Sequence, residues 1–141
     1  NLLTRFGREA GGSSVRGLIL DLRSNPGGYL NQAIAVCDRF LEDGIIVSTV
    51  EGSDRNRDVT RAERDGNEPA YPIAILVNGN SASASEIVAG ALRNRGRALI
   101  LGERSCGKGS VQHLALFFDG NAPVFDVGLL ERAGCFRLEV L

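Results

Sequence analysis

Two short apolar runs constrain the fold more than any other feature of the chain. Gly17-Leu18-Ile19-Leu20-Asp21-Leu22 and Pro72-Ile73-Ala74-Ile75-Leu76-Val77 are rich in branched aliphatic residues and too short for buried helices. Each closes on a turn, Arg23-Ser24-Asn25-Pro26-Gly27-Gly28 in the first case and Asn78-Gly79-Asn80 in the second. Strands buried in an α/β sheet have this appearance. Behind the first turn, Leu30, Ala33, Ile34, Cys37, Phe40 and Leu41 follow helical spacing, and the helix is expected to end near Asp43-Gly44. Behind the second, a helix is expected from about Ser83 to Arg93.

Further strands are expected at 45–50, 98–101 and 111–118, with weaker ones at 123–129 and 135–141. Leu2, Leu3 and Phe6 have the spacing of a helix end, and residues 51–70 read as an exposed loop or loose hairpin. Strands alternating with helices imply an α/β core with right-handed crossovers.

The 141 residues suffice for one domain with a real core. Net charge is −1, which argues against a nucleic-acid footprint or a membrane-surface patch. No stretch approaches the roughly 20 apolar residues that span a bilayer. The chain has no methionine, begins at Asn1 and ends within an expected strand, so it is expected to be a fragment of a longer protein. Cys37, Cys106 and Cys135 form no metal-like cluster and, being odd in number, no disulfide framework; Cys37 falls on the apolar face of the first helix.

Among 16 lysines and arginines the only lysine is Lys108, inside Gly102–Gln112 (GERSCGKGSVQ). Arginine does not give up its proton in a protein, whereas a desolvated lysine does. Upstream lies Ser81-Ala82-Ser83-Ala84-Ser85-Glu86. A serine and a neutralisable amine are the parts of a nucleophile–base dyad. Ser83 also reads as an N-cap whose capping box is completed by Glu86, and the two roles are compatible. A helix N-terminus supplies free N–H groups that stabilise an oxyanion. Spacing alone does not choose among Ser81, Ser83 and Ser85. The Gly27-Gly28 pair is either a plain turn or a second source of oxyanion N–H donors.

Gly102-x-x-x-x-Gly107-Lys108 nearly spells a phosphate-binding loop, but Gly109 stands where Ser or Thr is required and a strand pattern follows instead of a helix. Nucleotide binding is therefore not expected. His113 is the only histidine and adjoins Gln112; on a strand the two side chains point to opposite faces, which disfavours a Ser-His-Asp triad.

Gly17–Gly28 (GLILDLRSNPGG), Val77–Ala91 (VNGNSASASEIVAGA), Arg97-Ala98 and Gly102–Gln112, in this order and spacing, resemble the carboxyl-terminal processing peptidases, the S41 serine peptidase family. The resemblance covers about residues 17–118. It implies a crotonase/ClpP-like α/β core with a mixed sheet and flanking helices, so that 1–141 would be a truncated S41 catalytic core whose usual PDZ domain lies outside the chain. It maps the nucleophile to Ser83, the general base to Lys108 and a lysine-positioning amide to Gln112. The oxyanion hole would be built from the N–H of Gly27 or Gly28 with that of Ala84. It implies cleavage of protein or peptide substrates near their C-terminal tails, with no cofactor, metal, nucleotide or nucleic acid. The location implied is extracytoplasmic: periplasm, cell envelope or thylakoid lumen. A non-catalytic binding module on the same scaffold is the alternative. The chain departs from the family's habit at Asn94, where an acidic residue is frequent, at Ser105, where threonine is usual, and at Cys106, where an aromatic is usual; residues 119–141 lack the customary proline-containing segment.

Overall fold

The computed structural model describes residues 5, 15–51, 56–66, 69–108, 110–111, 117–119, 122–124 and 136–139. Three strands, β1 (Leu18–Asp21), β4 (Ile73–Val77) and β5 (Ala98–Gly102), form a parallel sheet in the order β1-β4-β5. The register aligns Leu18 with Ile73 and Ile73 with Ala98. Between these strands run helix α1 (Leu30–Asp38) and helix α2 (Ala84–Asn94), the long connections that parallel neighbours require. The helices pack on each other and on one face of the sheet.

That face holds the core. Ile73, Ile75 and Val77 point into it from β4, Ala33 and Cys37 from α1, and Ile87, Val88, Ala91 and Leu92 from α2. Burial around Cys37, with a smaller push from Asp38, drives its thiol up to about 12, so it is an inert packing residue. The opposite face carries Ile19, Leu99 and Leu101, each exposed. The unbroken apolar runs implied burial on both sides of these strands. Among the described residues only the helix side is covered, and the strands alternate accordingly.

A second, antiparallel sheet has the order β3-β2-β9-β6, built from β2 (Ile45–Glu51), β3 (Asn56–Arg61), β6 (Ser110–Val111) and β9 (Phe136–Glu139). Strands β7 (Phe117–Asp119) and β8 (Ala122–Val124) pair as a hairpin. Parallel and antiparallel strands are both present, in separate sheets. Part of the polar stretch 51–70 is regular strand, because β3 pairs with β2 from Ile45↔Arg61 to Glu51↔Asn56. A strand whose residues are polar on both faces leaves no period to read.

The first helix ends at Asp38, earlier than its spacing suggested. Phe40 and Leu41 are still buried, because their N–H groups both bond to the Cys37 carbonyl and turn the chain back under the helix. Of the strand expected over 111–118, the ends lie in β6 and β7, and 112–116 fall outside the described residues. So does the helix end expected near Leu2, Leu3 and Phe6.

Candidate active site

All three parallel strands deliver their carboxyl ends to one place, where open α/β sheets bind ligands. The loops leaving β1, β4 and β5 meet there, and hydrogen bonds between them fix the meeting.

Asn25 and Asn78 join the first two loops. The Asn78 Oδ1 accepts from the Ser24 N–H at 2.8 Å and from the Asn80 N–H at 3.2 Å. The Asn25 carbonyl accepts from the Ala82 N–H and from the Ser85 hydroxyl, each at 3.1 Å. Ser81 is fully buried; its hydroxyl donates to the Leu22 carbonyl at 2.7 Å and accepts from the Asn78 N–H at 3.0 Å. Ser81 and Ser85 are therefore tethers between loops. The Ser83 hydroxyl bonds to neither strand-end loop, and Ser83 is only half-buried.

Ser83 is the N-cap of α2 and has φ 55° and ψ −118°, a region that non-glycine residues avoid. Ala84, the first helical residue, has an N–H with no intrahelical acceptor, as every such position must. The two strained turns are packed together: Gly27 has φ +99°, and a Cβ there would lie 2.7 Å from the Ala84 nitrogen and 2.9 Å from the Ser83 Cβ. Only glycine lets the first loop come this close. The Gly27 N–H donates to its own neighbour's Asn25 Oδ1 at 2.9 Å. Gly28 has open space around it, and its N–H bonds to no acceptor among the described residues. Of the glycine pair, Gly28 is thus the one with a donor to offer.

Glu86 binds the third loop to the Ser83 turn. One carboxylate oxygen accepts from the Ser83 N–H and the Lys108 N–H, each at 2.9 Å. The other accepts from the Ser105 hydroxyl at 2.7 Å and the Gly107 N–H at 2.6 Å. Partial burial pushes this carboxyl up, but the four donors outweigh it and hold the group below the usual carboxylate range. The Cys106 N–H adds a bond to the Ser81 carbonyl at 3.0 Å, and the Glu103 N–H one to the Val77 carbonyl at 3.1 Å. The main chain of Lys108 is thereby fixed beside Ser83, while Lys108 itself is exposed. Gln112 and His113 lie outside the described residues. Strand β6 follows the Lys108 loop, so no helix N-terminus opens there.

At the end of β1, the Arg23 guanidinium grips Asp21 through two bonds of 2.9 and 2.7 Å, and the Arg23 N–H adds a third. These hold the Asp21 carboxyl down to about 2. Among the described residues no group of acidic, histidine or cysteine side chains is arranged to hold a metal ion. Sequence reasoning saw Glu86 only as half of a capping box and missed its grip on residues 105–108. Asn25 and Asn78 were read only as turn residues, and their position beside Gly and Pro is the signal that marked them.

The model for peptidase family S41 matches residues 2–128. The carboxy-terminal-processing protease of Bartonella bacilliformis is 56% identical over 100 residues, covering 70% of this chain and 23% of that protein. The carboxy-terminal processing protease CtpA of Bacillus subtilis is 39% identical over 107 residues, covering 76% of this chain and 23% of that protein. Among solved structures, a photosystem II D1 C-terminal processing protease superposes with a TM-score of 0.71 at 28% identity, over 99% of this chain and 33% of that one. The chain thus spans about a quarter of the length of these curated relatives.

Proposed function

The chain belongs to peptidase family S41, and from that premise we propose that it is the catalytic core of a serine endopeptidase that cleaves proteins near their C-terminus, with Ser83 as nucleophile and Lys108 as general base. The observation that carries this reading is the Glu86 carboxylate, one oxygen of which holds both the Ser83 and the Lys108 main-chain N–H. A residue that holds both main chains from one oxygen keeps the two backbones side by side.

In the proposed reaction a neutral Lys108 amine takes the Ser83 hydroxyl proton as Oγ bonds to the scissile carbonyl carbon. The oxyanion forms against the N–H groups of Gly28 and Ala84. Lys108 then gives its proton to the departing amine, and water hydrolyses the acyl-enzyme by the reverse path. A bound substrate strand covering Lys108 supplies the desolvation that lets the amine become neutral. Gln112 orients that amine, and the reaction uses no cofactor or metal. In the full-length protein a PDZ domain outside this chain holds the substrate's C-terminal tail, and the protein works in an extracytoplasmic compartment.

Labelling with a small phosphonylating reagent tests the nucleophile. The full-length protein is expected to be labelled at Ser83, and Ser83→Ala to lose both label and peptide hydrolysis while keeping its fold. Lys108→Arg is expected to be as inactive as Lys108→Ala, because arginine keeps the charge but cannot serve as base. A folded, unlabelled wild type would instead make the chain a non-catalytic binding module.

A further inference from the structure

The loop that carries Gly28 begins with a strained residue. The Asn25 N–H bonds to the Leu22 carbonyl at 3.2 Å and closes a four-residue turn. Its third residue, Ser24, has φ 56°. Glycine or asparagine usually supplies a positive φ at that place in a turn. A serine stays there only where its surroundings over-determine it. Ser24 is exposed, so packing does not hold it. Two bonds to the Asn78 carboxamide do. The Ser24 N–H donates to Asn78 Oδ1 at 2.8 Å, and Asn78 Nδ2 donates to the Ser24 hydroxyl at 3.3 Å. Asn78 is itself fixed in the loop that leads to Ser83. Its N–H donates to the Ser81 hydroxyl at 3.0 Å, and its carbonyl accepts from the Ser81 N–H at 2.9 Å.

We propose that Asn78 is a positioning residue for the oxyanion: by holding Ser24 at positive φ, it sets where the Gly28 N–H lies relative to the Ala84 N–H. The inference rests on the reading that Ser83 attacks a peptide carbonyl. Asn78 bonds to none of Ser83, Lys108, Gly28 and Ala84, so it acts through Ser24. Rotation of Ser24 back to negative φ redirects the chain that runs from Asn25 to Gly28. The Asn25 carbonyl is anchored by the Ala82 N–H and the Ser85 hydroxyl. The displacement therefore falls on the unanchored end, at Gly28, which has open space around it. One side chain on the nucleophile loop thus carries the aim of a donor on the other.

The test compares Asn78→Ser and Asn78→Asp in the full-length protein. A serine hydroxyl still accepts from the Asn80 N–H and keeps the local turn, but it is too short to reach Ser24. Aspartate keeps the acceptor oxygen, and the Ser24 hydroxyl can donate to it in place of accepting. In Asn78→Ser, kcat per folded molecule is expected to fall about 10- to 100-fold with KM little changed. Phosphonylation of Ser83 should slow by the same factor, because the phosphonyl oxygen uses the same donors. Asn78→Asp is expected to restore most of both rates. The midpoint of the pH–rate profile should not move, since Lys108 is untouched. Asn78→Gln, which shifts the carboxamide by one methylene, is expected to show the same loss and serves if Asn78→Ser fails to fold. Undiminished kcat and labelling in a folded Asn78→Ser overturn the positioning role alone. So does an equal loss in Asn78→Ser and Asn78→Asp, or a moved midpoint, which would place the effect at Lys108. A wild type that neither labels nor cleaves any peptide overturns the peptidase reading, and this inference with it.

Discussion

The chain contains two strand–turn–helix units that look alike in sequence and behave differently in the fold. In the β1–α1 unit the helix begins at Tyr29, an extended residue with φ −73° and ψ 136° and no side-chain cap. In the β4–α2 unit the helix begins at Ser83 in a strained conformation, with Glu86 bonded back to the Ser83 N–H. The first unit relaxes at its helix start and puts its strain into the turn, at Ser24 with φ 56° and at Gly27. The second concentrates its strain at Ser83, the proposed nucleophile. Strain of this kind persists only where surrounding bonds over-determine it, and here the Glu86 carboxylate and the Asn25 carbonyl provide them. On the proposed reading the units do different work: one offers backbone donors, the other the nucleophile.

The strongest way to break that comparison is at the contact between the units. Gly27→Ala forces a Cβ to within 2.7 Å of the Ala84 nitrogen at a φ that alanine resists. Misplacing an oxyanion donor costs about 100- to 1000-fold in kcat, and the strain about 1–3 kcal/mol in stability. Steady-state kinetics and a urea melt check both. Gly28→Ala, with open space around it, is expected to be much milder in stability.

Glu86→Ala comes next. It removes the carboxylate that joins the Ser83 turn to the Ser105, Gly107 and Lys108 donors, so kcat is expected to fall about 100-fold with KM little changed, as for a displaced catalytic group. Glu86→Gln keeps an acceptor oxygen and should recover part of the loss. The pH dependence follows from the direction of the shift. The folded-state carboxyl lies below its usual value of 4.5, so its stabilising effect is fully present above that pH and disappears as the pH falls through the lowered folded value. Thermal melts of wild type and Glu86→Gln are expected to differ at pH 6 and to converge in strong acid. Curves that stay parallel throughout would remove Glu86 from its hub.

The serine tethers should separate stability from chemistry. Ser81→Ala leaves the Leu22 carbonyl and the Asn78 N–H without their buried partner, a cost of about 1–3 kcal/mol. Ser83 labelling per folded molecule should be retained. If Ser81→Ala abolishes labelling in a folded protein, the division of roles among the three serines is wrong.

The smallest effect belongs to Asp21. Its carboxyl is drawn from 3.8 down to about 2 chiefly by the Arg23 side-chain bonds. Being exposed, the pair contributes little to stability. Whatever it contributes is present above pH 3.8 and lost as the pH falls through about 2. An NMR titration should find the Asp21 midpoint near 2, returning towards 3.8 in Arg23→Ala.

The elements of both units were legible because their signals are local. Ile73, Ile75 and Val77 form an apolar run, and Ser83 and Glu86 have capping-box spacing. Strand β3 was less legible, because pairing with β2 is a relation between segments and its own residues are polar on both faces. That only one sheet face is covered among the described residues was also hidden, since Ile19 and Leu99 are as apolar as the residues that face the helices.

The sequence by itself singled out the residues proposed to do chemistry, through the rarity of lysine at Lys108 and the family motifs around Ser83. It also determined the alternation of strand and helix, since hydrophobic period and turn residues act over a few positions. Only the tertiary structure decided which of three serines has its hydroxyl free of the strand-end loops, which glycine of the pair has an available N–H, and that Glu86 joins residues 83 and 108. Those outcomes depend on hydrogen bonds between loops far apart in the chain, such as Ser81 to Leu22 and Ser85 to Asn25. A donor's partner is set by where three strands end in space, and no local pattern of residue types records that.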